Sequence, residues 1–328
     1  MYKMQQTFEE IARRWAAAKQ PLVKYSTICA YRLTLRTHLL PYFGRWTVID
    51  EANVQNFIVE KIKSGLAKKT VRDIVAVLRA IVRYGAREHL CEREDWQLAY
   101  PTTVVGRKLP VLSLTHQRKL MRYLVASPDA RNIGVLLALC TGLRIGEVCA
   151  LEWQDVDLLH RLLRVRQTVG RIYDCDRGKT EQFFSTPKTK HSFREIPISK
   201  LLFEALSMVK KKTVSAFVVG ASAHATDPRT YRDYFARLLR RLQIPPIVFH
   251  GLRHTFATRC IESECDYKTV STVLGHSDVS TTLNLYVHPN LEQKKRCIEK
   301  MSKFVEQRGK CAIEIATDTE EYLFEKPL

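Results

Sequence analysis

The chain of 328 residues has 45% hydrophobic and 27% charged side chains, a balance that excludes wholesale disorder and suits globular cores. Its 53 Lys and Arg against 34 Asp and Glu give a formal net charge of +19. Such a surplus repels itself and calls for an anionic partner such as nucleic acid, with a solvated basic surface as the plain alternative.

Nine cysteines without a CxxC pair argue against a disulfide framework and against a metal site of zinc type. The N-terminal stretch MYKMQQTFEEIARRW lacks the apolar core of a signal peptide, and no apolar run reaches the length of a membrane span. A cytoplasmic protein is expected, with two domains of about 100 to 200 residues each. The net charge is +7 over residues 1–105, +14 over residues 106–302 and −2 beyond, so both expected domains are basic and the tail is not.

Thr7 followed by Glu10 matches a capping box, and Phe8, Ile11 and Trp15 then recur at helical spacing, which predicts a first helix directly after Thr7. A second helix is expected from Tyr25 to Leu40, closed by Pro41 and Gly44, and a third from Ala52 to Lys63, closed by Ser64 and Gly65. The fourth segment, AKKTVRDIVAVLRAIVRYGARE, puts Ile74, Leu78, Ile81 and Val82 on one face and Arg72, Arg79, Arg83 and Arg87 on another. Together with Lys68 and Lys69, these arginines are the candidate DNA-binding residues, since such a stripe can track a phosphate backbone; a solvated helix face carries the same pattern.

The stretch LAYPTTVVGRKLPVLS has two prolines, a glycine and no helical period, as an interdomain linker requires. The expected division is a helical domain over residues 1–100, a linker over 101–113, a second domain over 114–302 and a tail over 303–328. Helices are expected at 115–126 and 130–140, then strands in LLRVRQTV, EQFFST and REIPIS, then helices at 199–211, 228–242, 250–263, 267–274 and 279–287. The fold class is therefore mainly α, an all-α N-terminal domain followed by an α+β domain with a small sheet.

In TGLRIGE, Gly142 breaks one helix and Arg144 falls in the first turn of the next, with Glu147 three residues on. The helix dipole disfavours an arginine there, so an anion should sit against it, either Glu147 in an ordinary ion pair or a ligand. STPKTKHSFREIPI places Lys188 in the turn before a strand and Lys190 two positions later. In FHGLRHTFATRC, the residues Phe249, Leu252, Phe256 and Cys260 form an apolar stripe. Arg253 lies close to that stripe with His250 at its flank, and half burying a guanidinium is costly unless it meets an anion. The spacing of His250 and His254 suits a metal, but no third ligand presents itself.

Cations and imidazoles on separate elements, with Glu147 as the nearby carboxylate, fit an anionic reacting centre, and phosphoryl transfer meets that demand. No P-loop or carboxylate cluster for Mg²⁺ occurs in the sequence. The nucleophile must then be a protein group or water.

Here the chain resembles the tyrosine recombinase family, the phage integrases and their relatives on mobile elements and in chromosome-dimer resolution. The resemblance rests on Arg144 in TGLRIGE, Lys188 in TPKTK, His250 and Arg253 in HGLRHTFAT, His276 in LGHSDVSTT and Tyr286 ten residues after His276. The N-terminal helices are similar to the family's core-binding domain. The resemblance implies a two-domain clamp around double-stranded DNA, acting as a homotetramer on paired recombination sites. Excisionase or host DNA-bending proteins are accessory partners of such enzymes.

Carried onto this chain, the resemblance implies that Tyr286 attacks a scissile phosphate and Arg144 and Arg253 clamp the non-bridging oxygens. Lys188, with Lys190 in reserve, would protonate the leaving 5′-oxygen. His250 would assist proton transfer from the tyrosine, His276 would hydrogen-bond the phosphate, and Glu147 would orient Arg144 or a histidine. No metal or other cofactor is implied, because a covalent protein–DNA link conserves the phosphodiester energy.

The sequence departs from the family pattern at Gly251, where an acidic residue often follows the histidine, and its core-binding helices start by about residue 7, so the regulation through arm sites found in many phage integrases is not expected. The resemblance implies a C-terminal element that packs into a neighbouring subunit, a latch that Ile313, Ile315, Tyr322, Leu323 and Phe324 of the tail would form, with a disordered tail as the alternative. The rival readings are a non-catalytic architectural DNA-binding protein and a type IB topoisomerase.

Overall fold

A computed structural model of the chain describes residues 6–92, 95–101, 110–185, 193–276, 278–280, 295 and 298–303. The N-terminal part contains α1 (Phe8–Lys19), α2 (Tyr25–Thr34), α3 (Leu40–Phe43), α4 (Glu51–Lys63) and α5 (Lys68–Arg87). Thr7 and Glu10 form the expected capping box at α1. Side chains one helical turn apart then pack into one core of Phe8, Trp15, Phe43, Phe57, Leu78 and Trp96.

The second helix differs from expectation. Between α2 and α3 the chain makes a π turn, Leu35–Leu39, in which the Leu40 N–H donates to the Leu35 carbonyl. Pro41 has no N–H and its ring needs room behind it, so the widened turn lets the helix pass the proline and end at Gly44.

The second part opens with α6 (Leu114–Ala126), α7 (Asn132–Thr141) and α8 (Ile145–Ala150). Helix α7 is buried on every side and forms the centre of a core that includes Leu120, Leu137, Val148, Leu163, Leu206, Phe235 and Leu252. After α8 come β1 (Val156–Asp157), β2 (Leu162–Val165), β3 (Thr168–Asp174), β4 (Lys179–Ser185) and β5 (Arg194–Pro197). A three-stranded antiparallel sheet has the order β1-β2-β5, and β3 pairs with β4 in a separate hairpin. The segment LLRVRQTV is thus two strands rather than one. Gln167 donates to the Ala150 carbonyl and Glu152, while Arg166 pairs with Asp155 at 3.0 Å. These ties turn the chain from one sheet to the other.

Helices α9 (Lys200–Lys210), α10 (Pro228–Arg241), α11 (His250–Glu262) and α12 (Tyr267–Leu274) complete the described fold. The start of the expected helix at residue 279 is helical; most of it, and the tail residues suited to a latch, lie outside the described residues.

The two parts touch through α2 and the β3–β4 hairpin. The Tyr25 hydroxyl donates to Asp174 at 2.7 Å, its ring lies 5.6 Å from that of Phe183, and Arg32 pairs with Asp176. Among the described residues, no helix is long and apolar enough to cross a membrane.

Candidate active site

Gly142 ends α7 in the left-handed conformation at φ +69°, where a β-carbon would also lie 2.6 Å from Leu274 and 2.8 Å from Phe256. Glycine meets both demands, and the tight turn delivers Arg144 to the N-cap of α8, just before the first turn where it was expected. Glu147 then reaches back. One of its oxygens accepts the Arg144 backbone N–H at 2.9 Å and the other accepts Arg144 Nη1 at 2.9 Å. The carboxylate thereby offsets the repulsion between a cation and the positive end of the helix. Arg144 Nη2 donates to the Gly275 carbonyl at 3.3 Å, and its side chain remains 38% exposed.

Arg253 is more deeply placed than the sequence implied. It is 2% exposed, and its Nη1 donates to the Gly142 carbonyl at 2.9 Å. Helix α11 is enclosed on more than one stripe, since Gly251, His254, Thr255 and Ala257 are buried along with Leu252. The Thr255 hydroxyl accepts the Leu112 N–H at 3.0 Å, and Arg259 donates to the Leu112 carbonyl at 2.7 Å. The end of the linker therefore braces the helix that carries Arg253. This also accounts for Gly251, because a β-carbon there would lie 2.8 Å from the Pro110 carbonyl oxygen. An acidic side chain has no room.

His250 begins α11 at the exposed mouth of the site, with its ring 4.7 Å from and perpendicular to that of the buried His254. His276 is half-buried, one residue beyond Gly275, which closes α12 in the left-handed conformation at φ +67°. Partial loss of water, then the neighbouring His254, Arg253 and Arg144, lowers the His250 pKa from 6.5 to about 4. The pKa of His276 falls to about 4 through the same loss of water and the charges of Arg253, Arg144 and Arg194. Both rings are therefore neutral near pH 7. Glu147 moves down. Burial would raise its carboxyl pKa, but the hydrogen bonds and charges of Arg194 and Arg144 outweigh burial and keep it ionised.

The structure thus brings Arg144, Glu147, Arg253, His250 and His276 together from three segments of the chain. Lys188, Lys190 and Tyr286 lie outside the described residues. The sequence reading missed Arg194, which is 6% exposed and binds Glu147 through Nη1 at 3.2 Å and Nη2 at 2.9 Å. The signal was available in REIPI, where Arg194 occupies the inward phase of an alternation whose next members, Ile196 and Ile198, are buried. A charge on a core-facing position is informative.

The candidate DNA-binding residues of α5 separate into two groups. Lys68 donates to the Pro101 carbonyl at 2.7 Å, Arg72 lies 5.0 Å over the Tyr100 ring, and Arg79 donates to the Trp96 carbonyl at 2.6 Å. These three hold residues 96–101 along the helix. Arg87 pairs with Glu88 and lies over Tyr84, while Lys69 and Arg83 are exposed. Among the described residues, no cluster of three His, Cys, Asp or Glu side chains has the arrangement of a metal site.

The chain belongs to the phage integrase family, which it matches over residues 114–293, and it matches the N-terminal SAM-like domain of phage integrases over residues 7–62. It is 25% identical over 288 residues to a tyrosine recombinase XerC-like protein of Caldanaerobacter subterraneus subsp. tengcongensis, spanning 80% of this chain and 73% of that one. It is 24% identical to the ICEBs1 integrase of Bacillus subtilis, over 81% of this chain and 75% of that one. In three dimensions it is similar to the integrase of transposon Tn1549 in complex with transposon right-end DNA, with a TM-score of 0.75 and 20% identity. That match covers 90% of this chain and 100% of the other.

Proposed function

We propose that the chain is a site-specific tyrosine recombinase that cuts and rejoins double-stranded DNA through a 3′-phosphotyrosyl intermediate and a Holliday junction. The observation that carries this reading is the convergence of Arg144, Arg253, His250 and His276 around one site, with Glu147 holding Arg144. Two guanidiniums can bind the non-bridging oxygens of one phosphate and stabilise the charge that builds there during transfer.

In the proposed reaction, a bond forms between the Tyr286 oxygen and phosphorus while the bond to the 5′-oxygen breaks. The phenol, with an ordinary pKa of about 10, must lose its proton as it attacks, and His250 assists that transfer through a hydrogen bond. Lys188, or Lys190 in its place, protonates the departing 5′-oxygen. His276 donates a hydrogen bond to the phosphate. The reverse reaction, with a 5′-hydroxyl from another strand, seals the junction, and the phosphodiester energy is kept throughout.

The same reading places a core-binding domain in residues 1–100, a linker in 101–113, the catalytic domain in 114–302 and an intersubunit element in 303–328. The working unit is a homotetramer on two paired sites, located in the cytoplasm with the chromosome. In support, a lambda integrase tetramer bound to a Holliday junction shares the fold, with a TM-score of 0.61. Accessory excisionase or DNA-bending proteins are compatible with this assembly.

The test uses a duplex selected by the full chain from a random-sequence pool. Tyr286→Phe should bind that duplex as the unaltered chain does and form no covalent protein–DNA adduct. Undiminished adduct formation by Tyr286→Phe sinks the assignment.

A further inference from the structure

We propose that Arg194 is a positioning residue for strand transfer, setting the direction of Arg144 and the path of the chain into His276 at the same time. This rests on the phosphoryl-transfer reading above and assigns a role to a residue outside it.

Arg194 sits on β5, with its side chain 4% exposed. Its Nη1 and Nη2 donate to the two oxygens of Glu147 at 3.2 and 2.9 Å, and its Nε donates to the Val273 carbonyl at 2.7 Å. Glu147 uses the same two oxygens to hold Arg144, whose Nη2 in turn reaches the Gly275 carbonyl at 3.3 Å. The contacts form a closed ring running from Arg144 through Glu147 and Arg194 to the end of α12 and back to Arg144. His276 leaves that ring as the next residue of the chain.

Two physical arguments separate positioning from mere stabilisation. A buried ion pair is a poor source of stability, because apolar side chains of similar volume often hold a fold as well or better. What apolar groups cannot do is fix the plane of a neighbouring guanidinium. Secondly, the Arg194 fork fills the space where Gly275 turns: a β-carbon on Gly275 would lie 3.0 Å from Nη1 and 3.1 Å from Cδ of Arg194. The guanidinium therefore shapes the turn that aims His276. Lysine keeps the charge but lacks the planar fork that serves Glu147 and Val273 together.

The experiment compares Arg194→Lys and Glu147→Gln with the unaltered full chain on the selected duplex, after the adduct position has been mapped. A second duplex carries one methylphosphonate at that position, which removes the charge of one non-bridging oxygen and so reduces the demand on the arginine clamp. Arg194→Lys should bind both duplexes nearly as the unaltered chain does and form adduct about 100-fold more slowly on the phosphodiester, the scale of a misplaced catalytic group. The loss should shrink to a few-fold on the methylphosphonate, roughly the residue of the effect once clamp charge matters less. Glu147→Gln, which keeps shape and removes charge, should show the same contrast, and it carries the comparison if Arg194→Lys loses its cooperative thermal transition. Unchanged rates in both variants, or equal losses on the two duplexes, overturn the positioning role. Absence of adduct from the unaltered chain overturns the strand-transfer reading itself, and the positioning role with it.

Discussion

The buried guanidinium of Arg253 donates to the carbonyl of Gly142 at 2.9 Å, two residues before Arg144. One candidate clamp residue is therefore anchored on the turn that launches the other. Arg253→Lys removes the planar donor that reaches Gly142. Adduct formation should fall by about 10² to 10³-fold, as when an oriented donor is lost from a charge-stabilising site. Quenched-flow or gel-based adduct kinetics, with binding measured in parallel by gel shift, would check it; equal loss of binding and cleavage counts against a clamp.

Gly142→Ala should lower stability by about 1–2 kcal/mol through the left-handed backbone alone, and further through contact with Leu274 and Phe256. Urea unfolding measures the sum. A midpoint equal to that of the unaltered chain would contradict the described turn.

The depressed histidines predict a direction with pH. His250 and His276 have pKa values near 4 in the folded chain against an ordinary 6.5. Between those values the unfolded chain binds protons that the folded chain does not, so unfolding gains from acid. The stability these groups contribute is present above about pH 6.5 and is lost as pH falls toward 4. Melting temperature should drop across that window, and His276→Gln should flatten the drop. His250 is exposed, so its share is the smaller.

The contact between α2 and the β3–β4 hairpin places Arg32 against Asp176 and Tyr25 against Asp174. Arg32→Glu turns an attraction into a repulsion. Free chain should become more extended by small-angle scattering, and DNA association should be faster if parting of the two halves limits entry. An unchanged radius of gyration would show that the contact does not hold the halves together.

Exposed Lys69 and Arg83 should behave unlike Arg79, which holds the Trp96 carbonyl. Each exposed cation that neutralises a phosphate contributes about 0.9 to the slope of log affinity against log salt. Lys69→Ala and Arg83→Ala should each reduce that slope, whereas Arg79→Ala should chiefly lower the melting temperature. Salt titration of binding by fluorescence anisotropy discriminates the two groups.

Much of this architecture was readable because helices announce themselves locally. The capping box at Thr7, the apolar phase of α5 and the glycines at 142 and 275 act within one or two helical turns. The π turn before Pro41 was hidden, since a proline signals a break and only the surrounding packing decides whether the helix stops or widens. The split of LLRVRQTV was likewise invisible. Gln167 and Arg166 find their partners in residues 150–155, and periodicity does not report partners.

Residue types, order and spacing determined the class of chemistry: a basic chain with arginines, lysines, histidines and a tyrosine in the order of a tyrosine recombinase. Tertiary structure alone decided which cations face one another and which are occupied as braces. Arg194, distant in sequence from Glu147, became part of the site because pairing of β5 with β2 brings a buried charge beneath α8. A charge in low dielectric must be met by an opposite charge or a dipole from wherever the fold can supply one, and that partner is a property of three-dimensional packing.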